Sequence, residues 1–194
     1  MSSISAYCKA RLLDGTLAPD YVSAHTAFPG VTGANECSGG SYAQQVIAFG
    51  TASGGIRTQT GAASFTITAQ TVRWVGYWQA GNWLYAAPAG GASPKNFIVL
   101  PNDDTVYSPT HGWSDSQKVV IYNGTPPAGT DEGQILYVRD AGTNTFKLAA
   151  TDGGAAIDMT SAPSWGAVIA AITEYAYAGT GTFSVESSTI VIPG

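Results

Sequence analysis

Apolar and polar residues alternate with a period of two through most of this chain, in short runs separated by Gly, Pro, Asn and Ser. In ASFTITA (63–69), Phe65 and Ile67 alternate with Thr66 and Thr68, the pattern of a strand buried on one face. The same pattern predicts strands at 21–26, 42–50, 56–60, 71–78 and 82–88, with turns at Pro19-Asp20, Ser53-Gly54-Gly55 and Ala80-Gly81-Asn82. Beyond the small-residue stretch Ala89-Gly90-Gly91-Ala92-Ser93, a flexible joint, Asp103-Asp104 and TVYSPTHGW (105–113) open the second half, and strands are predicted at 117–124, 134–142 and 145–153. Two more are expected around a Ser-Ser turn within 181–194. DAGT before NTFKLAAT reads as a hairpin in which Gly142 supplies a positive φ. Two segments depart from this texture. Residues 3–13 place Ile4, Tyr7, Cys8 and Leu12 on one helical face behind a Ser cap. Residues 165–175 suit a short helix or a strand, and their β-branched residues favour the strand. The fold class expected is all-β: an antiparallel β-sandwich with a short N-terminal helix.

One stretch resists the alternation. Residues 28–42 read FPGVTGANECSGGSY, and five of the fifteen are Gly or Pro, which predicts a long shaped loop. Pro29, Gly30, Gly33, Asn35, Glu36, Gly39, Gly40 and Tyr42 lie in it. The double glycines are not phosphate loops, because no Lys follows them and no G-x-G-x-x-G opens a helix. They supply positive φ and close backbone approach, and Asn35-Glu36 is expected to order the loop by hydrogen bonds to its own backbone.

Composition narrows the role. Charged residues make up 11% of the chain, where about 25% is usual. Such a surface is weakly self-repelling and easily desolvated, which suits faces that end against neighbours, and the same composition equally suits an ordinary Thr/Gly-rich β-sandwich. The net charge is −5 and the eight Lys and Arg are scattered, so no basic stripe for nucleic acid exists. No apolar run reaches the roughly 18 residues of a membrane span. The N-terminal MSSISAYCKARLL lacks the apolar stretch of a secretion signal, so folding in a cytosol is expected. In that setting Asn123-Gly124-Thr125 is not a glycosylation site. Cys8 and Cys37 have no CxxC or His at ligand spacing. They read as buried residues, with a bridge after release into an oxidising medium as the alternative.

The candidate chemistry is thin. His25 precedes the glycine loop without a nucleophile motif nearby, and packing is the simpler role. His111, in Thr110-His111-Gly112, reads as a turn-closing residue that bonds backbone rather than a ligand. Asp103-Asp104, Asp131-Glu132, Asp152 and Asp158 sit on loops and form no calcium-loop pattern; sequence alone cannot place two of them across a cleft as a glycosidase requires. No catalytic residue, metal ligand or cofactor site is therefore assigned. Trp74, Tyr77, Trp78, Trp83 and Tyr85 form an aromatic cluster on two neighbouring strands, with Trp74 and Trp78 on one face and Tyr77 and Val75 on the other. One face is core. The other is a subunit interface or, as the lesser reading, a platform for a glycan.

At HTAFPGVTGANECSGGSYAQQVIAFG (25–50) the sequence resembles a segment of small virion proteins of tailed phages, of tail-fibre or minor-tail type, that runs roughly "LHTADPG-TGANE-SGGSYARQAV-F". Pro29, Gly30, Gly33, Ala34, Asn35, Glu36, Gly39, Gly40, Tyr42 and Gln45 carry the resemblance, while Ser23-Ala24, Phe28, Cys37 and Gln44 depart from it. TVRWVGYWQAGNWLYAA (71–87) is similar to that family's "T-HVGFW-A-TGG-FL--A" segment. Residues 103–161 resemble a second small β module of phage tail and fibre proteins, on His111-Gly112, Val119, Pro127-Ala128-Gly129, Tyr137-Val138, Thr145-Phe146, Leu148 and Gly153 to Asp158. Ser116-Gln117-Lys118 replaces its usual Gly-Asp.

These resemblances imply a domain at 1–98 plus 173–194, closed by the final Thr/Val strands, with a module inserted at 99–172. They imply a non-catalytic structural protein of the virion: a minor tail or fibre-base protein, or a capsid-surface decoration protein. Its partners would be other tail or capsid proteins and further copies of itself, with a trimer as the first guess, and no nucleic acid or membrane. The 28–42 loop and residues 1–20 would make the assembly contacts. The alternative is a module that recognises a glycan on the host surface.

Overall fold

A computed structural model of the chain describes residues 7, 17–51, 53 and 56–191. The helix expected at 3–13, with Cys8, lies outside the described residues except for Tyr7, as does most of the 1–20 contact segment. The described residues are all-β. In chain order they form β1 (Tyr21–His25), β2 (Gln45–Val46), β3 (Ile56–Thr58), β4 (Ala63–Ile67), β5 (Thr71–Val72), β6 (Trp74–Gln79), β7 (Asn82–Pro88), β8 (Ile98–Leu100), β9 (Thr105–Tyr107), β10 (Lys118–Tyr122), β11 (Ile135–Arg139), β12 (Thr145–Ala149), β13 (Val168–Ala171), β14 (Tyr175–Ala176), β15 (Gly181–Val185) and β16 (Thr189–Val191). All pairing is antiparallel. The chain divides into two compact units, one from residues 90–173 and one from the segments on either side.

In the flanking unit, β2, β1, β6 and β7 form one sheet in that order. β1 and β6 run in full register, with Tyr21 opposite Trp78 and His25 opposite Trp74. Alternation sends Val22, Ala24, Val75 and Tyr77 to one face. There they join Phe65 and Ile67 of β4 and Phe183 and Val185 of β15 in a single buried cluster. β4 and β15 pair with Phe65 opposite Phe183, so this core is closed, sandwich-like, by strands from both ends of the sequence. β16 pairs with β3 and β14 with β5. The returning segment 175–191 therefore pairs with β3–β5 and not within 90–173. Arg73 ties the two ends of the break together: its carbonyl accepts from Ala89 N–H at 2.8 Å and its Nε meets Glu174 Oε1 at 2.5 Å.

The 90–173 unit is a six-stranded sheet in the order β13-β10-β11-β12-β9-β8. Lys95, just before β8, exchanges both backbone bonds with Ile169 of β13, which closes the sheet into a small barrel. Val106, Val119, Ile121, Leu136, Val138, Phe146, Leu148, Met159 and Ile169 fill it.

Several expected boundaries move for local reasons. The strand expected at 42–50 pairs only at Gln45–Val46, with Phe49 making an isolated bridge to Gln59. TVYSPTHGW, to which the sequence assigns no element, contains β9 and leaves the sheet after Tyr107, because Pro109 lacks an N–H and Thr110 takes φ 47. In the β11–β12 hairpin the left-handed residue is Asp140 at φ 51, not Gly142, whose N–H donates to Thr145 O at 2.7 Å. Residues 165–175 contain strand β13.

Candidate functional site

The sheet face opposite the sandwich core carries Ser23, His25, Trp74, Gly76 and Trp78, with Trp83 reaching over from β7. The glycine loop 28–42 lies across it. Gly33, at φ +77, is what lets the loop come down: a Cβ there would stand 2.7 Å from the Trp78 ring and 2.7 Å from the Trp83 ring. Gly76 does the same from beneath, since a Cβ on it would collide with Trp83, His25 Nε2 and Ser23 Oγ. Phe28 packs on Trp74 with ring centroids 5.0 Å apart, and Trp83 meets both Trp78 and His25 edge-on.

A buried hydrogen-bonded chain runs through this layer. Trp78 Nε1–H donates to Ser23 Oγ at 2.7 Å. Ser23 Oγ lies 2.7 Å from His25 Nε2, and His25 Nδ1 lies 2.8 Å from Ala34 O in the loop. One assignment satisfies every atom: Ser23 donates to Nε2 and Nδ1–H donates to Ala34. His25 is then neutral, and burial holds its pKa below the ordinary value, against the opposing pull of the Ala34 carbonyl and the Glu36 charge. A Ser–His pair at this distance looks like a nucleophile and its base. Its third partner is a carbonyl rather than a carboxylate, and neither side chain has exposed surface. The arrangement fixes the loop.

The rest of the loop is fastened along β1. Thr26 N–H donates to Asn35 O and Cys37 N–H to Ala24 O, at 2.9 and 2.8 Å, so residues 35–37 extend the sheet beside β2. Asn35, at φ 60, closes the loop on itself through Nδ2 to Phe28 O at 2.8 Å. Glu36 does not bond backbone as expected; its carboxylate accepts from Tyr42 Oη at 2.9 Å and Gln44 Nε2 at 3.1 Å. Tyr42 stacks on Phe65, and its hydroxyl also accepts from Ala24 N–H. Burial first, then the Glu36 charge, pushes the Cys37 thiol up to about 11, so it is an inert thiol at neutral pH. Gln70 clamps the tip, its amide accepting from Ser38 N–H and donating to Ser38 O.

No family model, curated protein or solved structure matches the chain.

The geometry sorts the residues singled out in the sequence. Pro29 and Gly33 are buried, Gly30, Glu36 and Tyr42 are half-buried, and Asn35, Gly39 and Gly40 are exposed. The loop's outer surface is thus Val31, Thr32, Ala34, Asn35 and residues 38–41. Of the aromatics, Trp74, Tyr77 and Trp83 are buried and Trp78 and Tyr85 half-buried; Tyr77 and Tyr85 stack in the sandwich core, the other three under the loop. Three of the five rings are therefore closed to a sugar, and Trp78 and Tyr85 are half-buried. His111 accepts from Trp113 N–H through Nδ1, a turn closure. Asp104 holds Met159 N–H at 2.9 Å. Among the described residues no three His, Cys, Asp or Glu converge as metal ligands, and no helix is long and apolar enough to cross a membrane. Sequence reasoning missed Ser23, Gly76, Gln70 and Arg73. Ser23 alternating with His25 on one strand, opposite a Gly between two aromatics, was the available signal.

Proposed function

We propose that this chain is a structural component of a tailed-phage virion, a minor tail or fibre-base protein or a capsid-surface decoration protein, that works by protein–protein assembly and not by catalysis. The observation that carries the reading is the pinned glycine loop. The residues on which the phage resemblance rests, Pro29 to Tyr42, are the ones held by the buried Trp78–Ser23–His25–Ala34 chain and by Gly33 against two indoles. A loop fixed this firmly presents its outer residues in one geometry, so little entropy is lost when a partner binds them. The partners are other tail or capsid proteins and further copies of this chain. The assembly reading is preferred to glycan recognition because Trp74, Tyr77 and Trp83, three of the five aromatics that would serve a sugar, are buried.

The test is mass spectrometry of purified virions with heads and tails separated and copies counted. A few copies on tails assign a tail-tip or fibre-base role, and hundreds on heads a decoration role. Absence from both fractions sinks the proposal. Within the virion, Thr32→Asp combined with Val31→Asp on the loop's outer surface should abolish incorporation while leaving the purified chain folded.

A further inference from the structure

The 90–173 unit carries an uncharged cleft flanked by exposed apolar residues. Lys95 and Ile169 join the barrel with backbone bonds of 2.8 and 3.0 Å. Past this pair the two segments part. Asn96, Phe97 and Ile98 on one side and residues 162–167 on the other line a cleft of about 480 Å³, and none of them carries a charge. Trp165 stands at its rim with its side chain wholly in solvent (relative exposure 103%), on a turn that Gly166 completes at φ +91. Ile98 in the cleft wall is 55% exposed, Leu100 two residues on is 42%, and Tyr107, directly across the ladder from Ile98, is 38%. Single exposed apolar residues are ordinary, but Ile98, Leu100 and Tyr107 on one sheet face, with Trp165 on the cleft that Ile98 also lines, mark a contact surface.

We propose that two copies of the chain meet here, each placing Trp165 in the cleft of the other. The projection and the hollow belong to one surface, so a twofold axis beside them fills both at once. Charge favours the same occupant. Each copy carries a net charge of −5, but a cleft with no ionisable lining lets a second copy enter it without opposed carboxylates. A charged ligand would find no counter-charge in the cleft. A Trp desolvated in an apolar pocket is the usual energetic anchor of an interface. The proposal deepens the assembly reading by naming a partner and a surface, and it fails separately: a chain that stays single in solution still enters a virion through its other contacts.

Sedimentation velocity of the purified full chain across a concentration series is the test, with tryptophan emission read in parallel. The expected result is a monomer–dimer equilibrium with a blue shift of emission as the dimer forms. Trp165→Ser should weaken association about thirtyfold and remove the shift, while circular dichroism stays that of the wild type; Trp165→Phe should restore part of the association. A monomer at every concentration, a trimer, or a dimer indifferent to Trp165→Ser overturns the proposal. So does quenching of Trp165 by a neutral oligosaccharide while the chain remains a monomer.

Discussion

The tryptophans under the glycine loop and the tryptophan on the barrel rim are the same side chain put to opposite uses. Trp74, Trp78 and Trp83 stand on a sheet face that a sandwich would leave to solvent, and a second layer of chain has been laid over them. That layer needs glycine where it touches the rings and a hydrogen-bond partner for the indole N–H of Trp78, and Ser23 and His25 provide the partner. Trp165 has neither a glycine lid nor a polar relay. The lesson is that covering an aromatic face takes backbone as well as side chains. A fold that leaves one uncovered beside a hollow leaves it for something else.

The largest way to break the comparison is to deny the loop its close approach. Gly33→Ala places a methyl 2.7 Å from two rings at a left-handed φ, so it combines overpacking with backbone strain. We expect it to destabilise the flanking unit by about 3 kcal/mol, read from urea unfolding followed by tryptophan emission. A loss under about 0.5 kcal/mol would mean that the loop lifts freely and is not a second layer. Next is Ser23→Ala, which strands Trp78 Nε1–H and His25 Nε2 together and should take about 2 kcal/mol. Coupling in a double-mutant cycle with Trp78→Phe distinguishes the relay from simple loss of packing; additive effects would show that the chain of bonds is not a unit.

The relay also predicts a pH dependence. Burial lowers the pKa of His25 in the fold, so the unfolded chain, at about 6.5, takes up the proton first as pH falls. The stability due to neutral His25 is complete above 6.5. Below it, stability falls by up to about 1.4 kcal/mol per pH unit until the folded value is reached. The check is unfolding free energy between pH 7.5 and about pH 5 for the wild type and His25→Gln. Parallel curves would remove His25 as the titrating group.

Much of this architecture is legible in the pattern of residues, and the misses have physical causes. Period-two alternation locates most strands because each has one buried face, as Phe65 and Ile67 show. It also sorts Trp74 and Trp78 from Val75 and Tyr77. It does not reveal that both faces of β6 are covered, because that depends on a loop folding back from 28–42, and alternation describes only one strand at a time. Ile98–Leu100 is a strand that the sequence reading passed over, since IVL runs straight into Pro101 and shows no alternation. The left-handed residue of the β11–β12 hairpin was misplaced because Gly142 is the obvious candidate, whereas Asp140 also tolerates that conformation. The glycine loop is legible as a site, but its fastening is not: Gln70 lies far from it in sequence, and Ser23, just before it, looks like an ordinary polar strand residue. Trp165 falls in a segment whose pattern suits helix or strand, and nothing in WGAVIAAITEY says which residue the turn expels.

The smallest expected effect sharpens the comparison most. Trp165→Ser, measured at high dilution where copies are apart, should leave the unfolding midpoint unchanged, because its ring touches water and little else. Trp83→Ser should lower the midpoint sharply, since Trp83 is 6% exposed and packs on Trp78, His25 and Gly33. The two substitutions delete the same atoms from one protein, so their difference isolates what the covering layer contributes. If Trp165→Ser were the more destabilising of the two, the rim tryptophan would be holding the barrel together from outside. It would then belong to the fold, and its exposed ring could not be counted as free surface for a second copy.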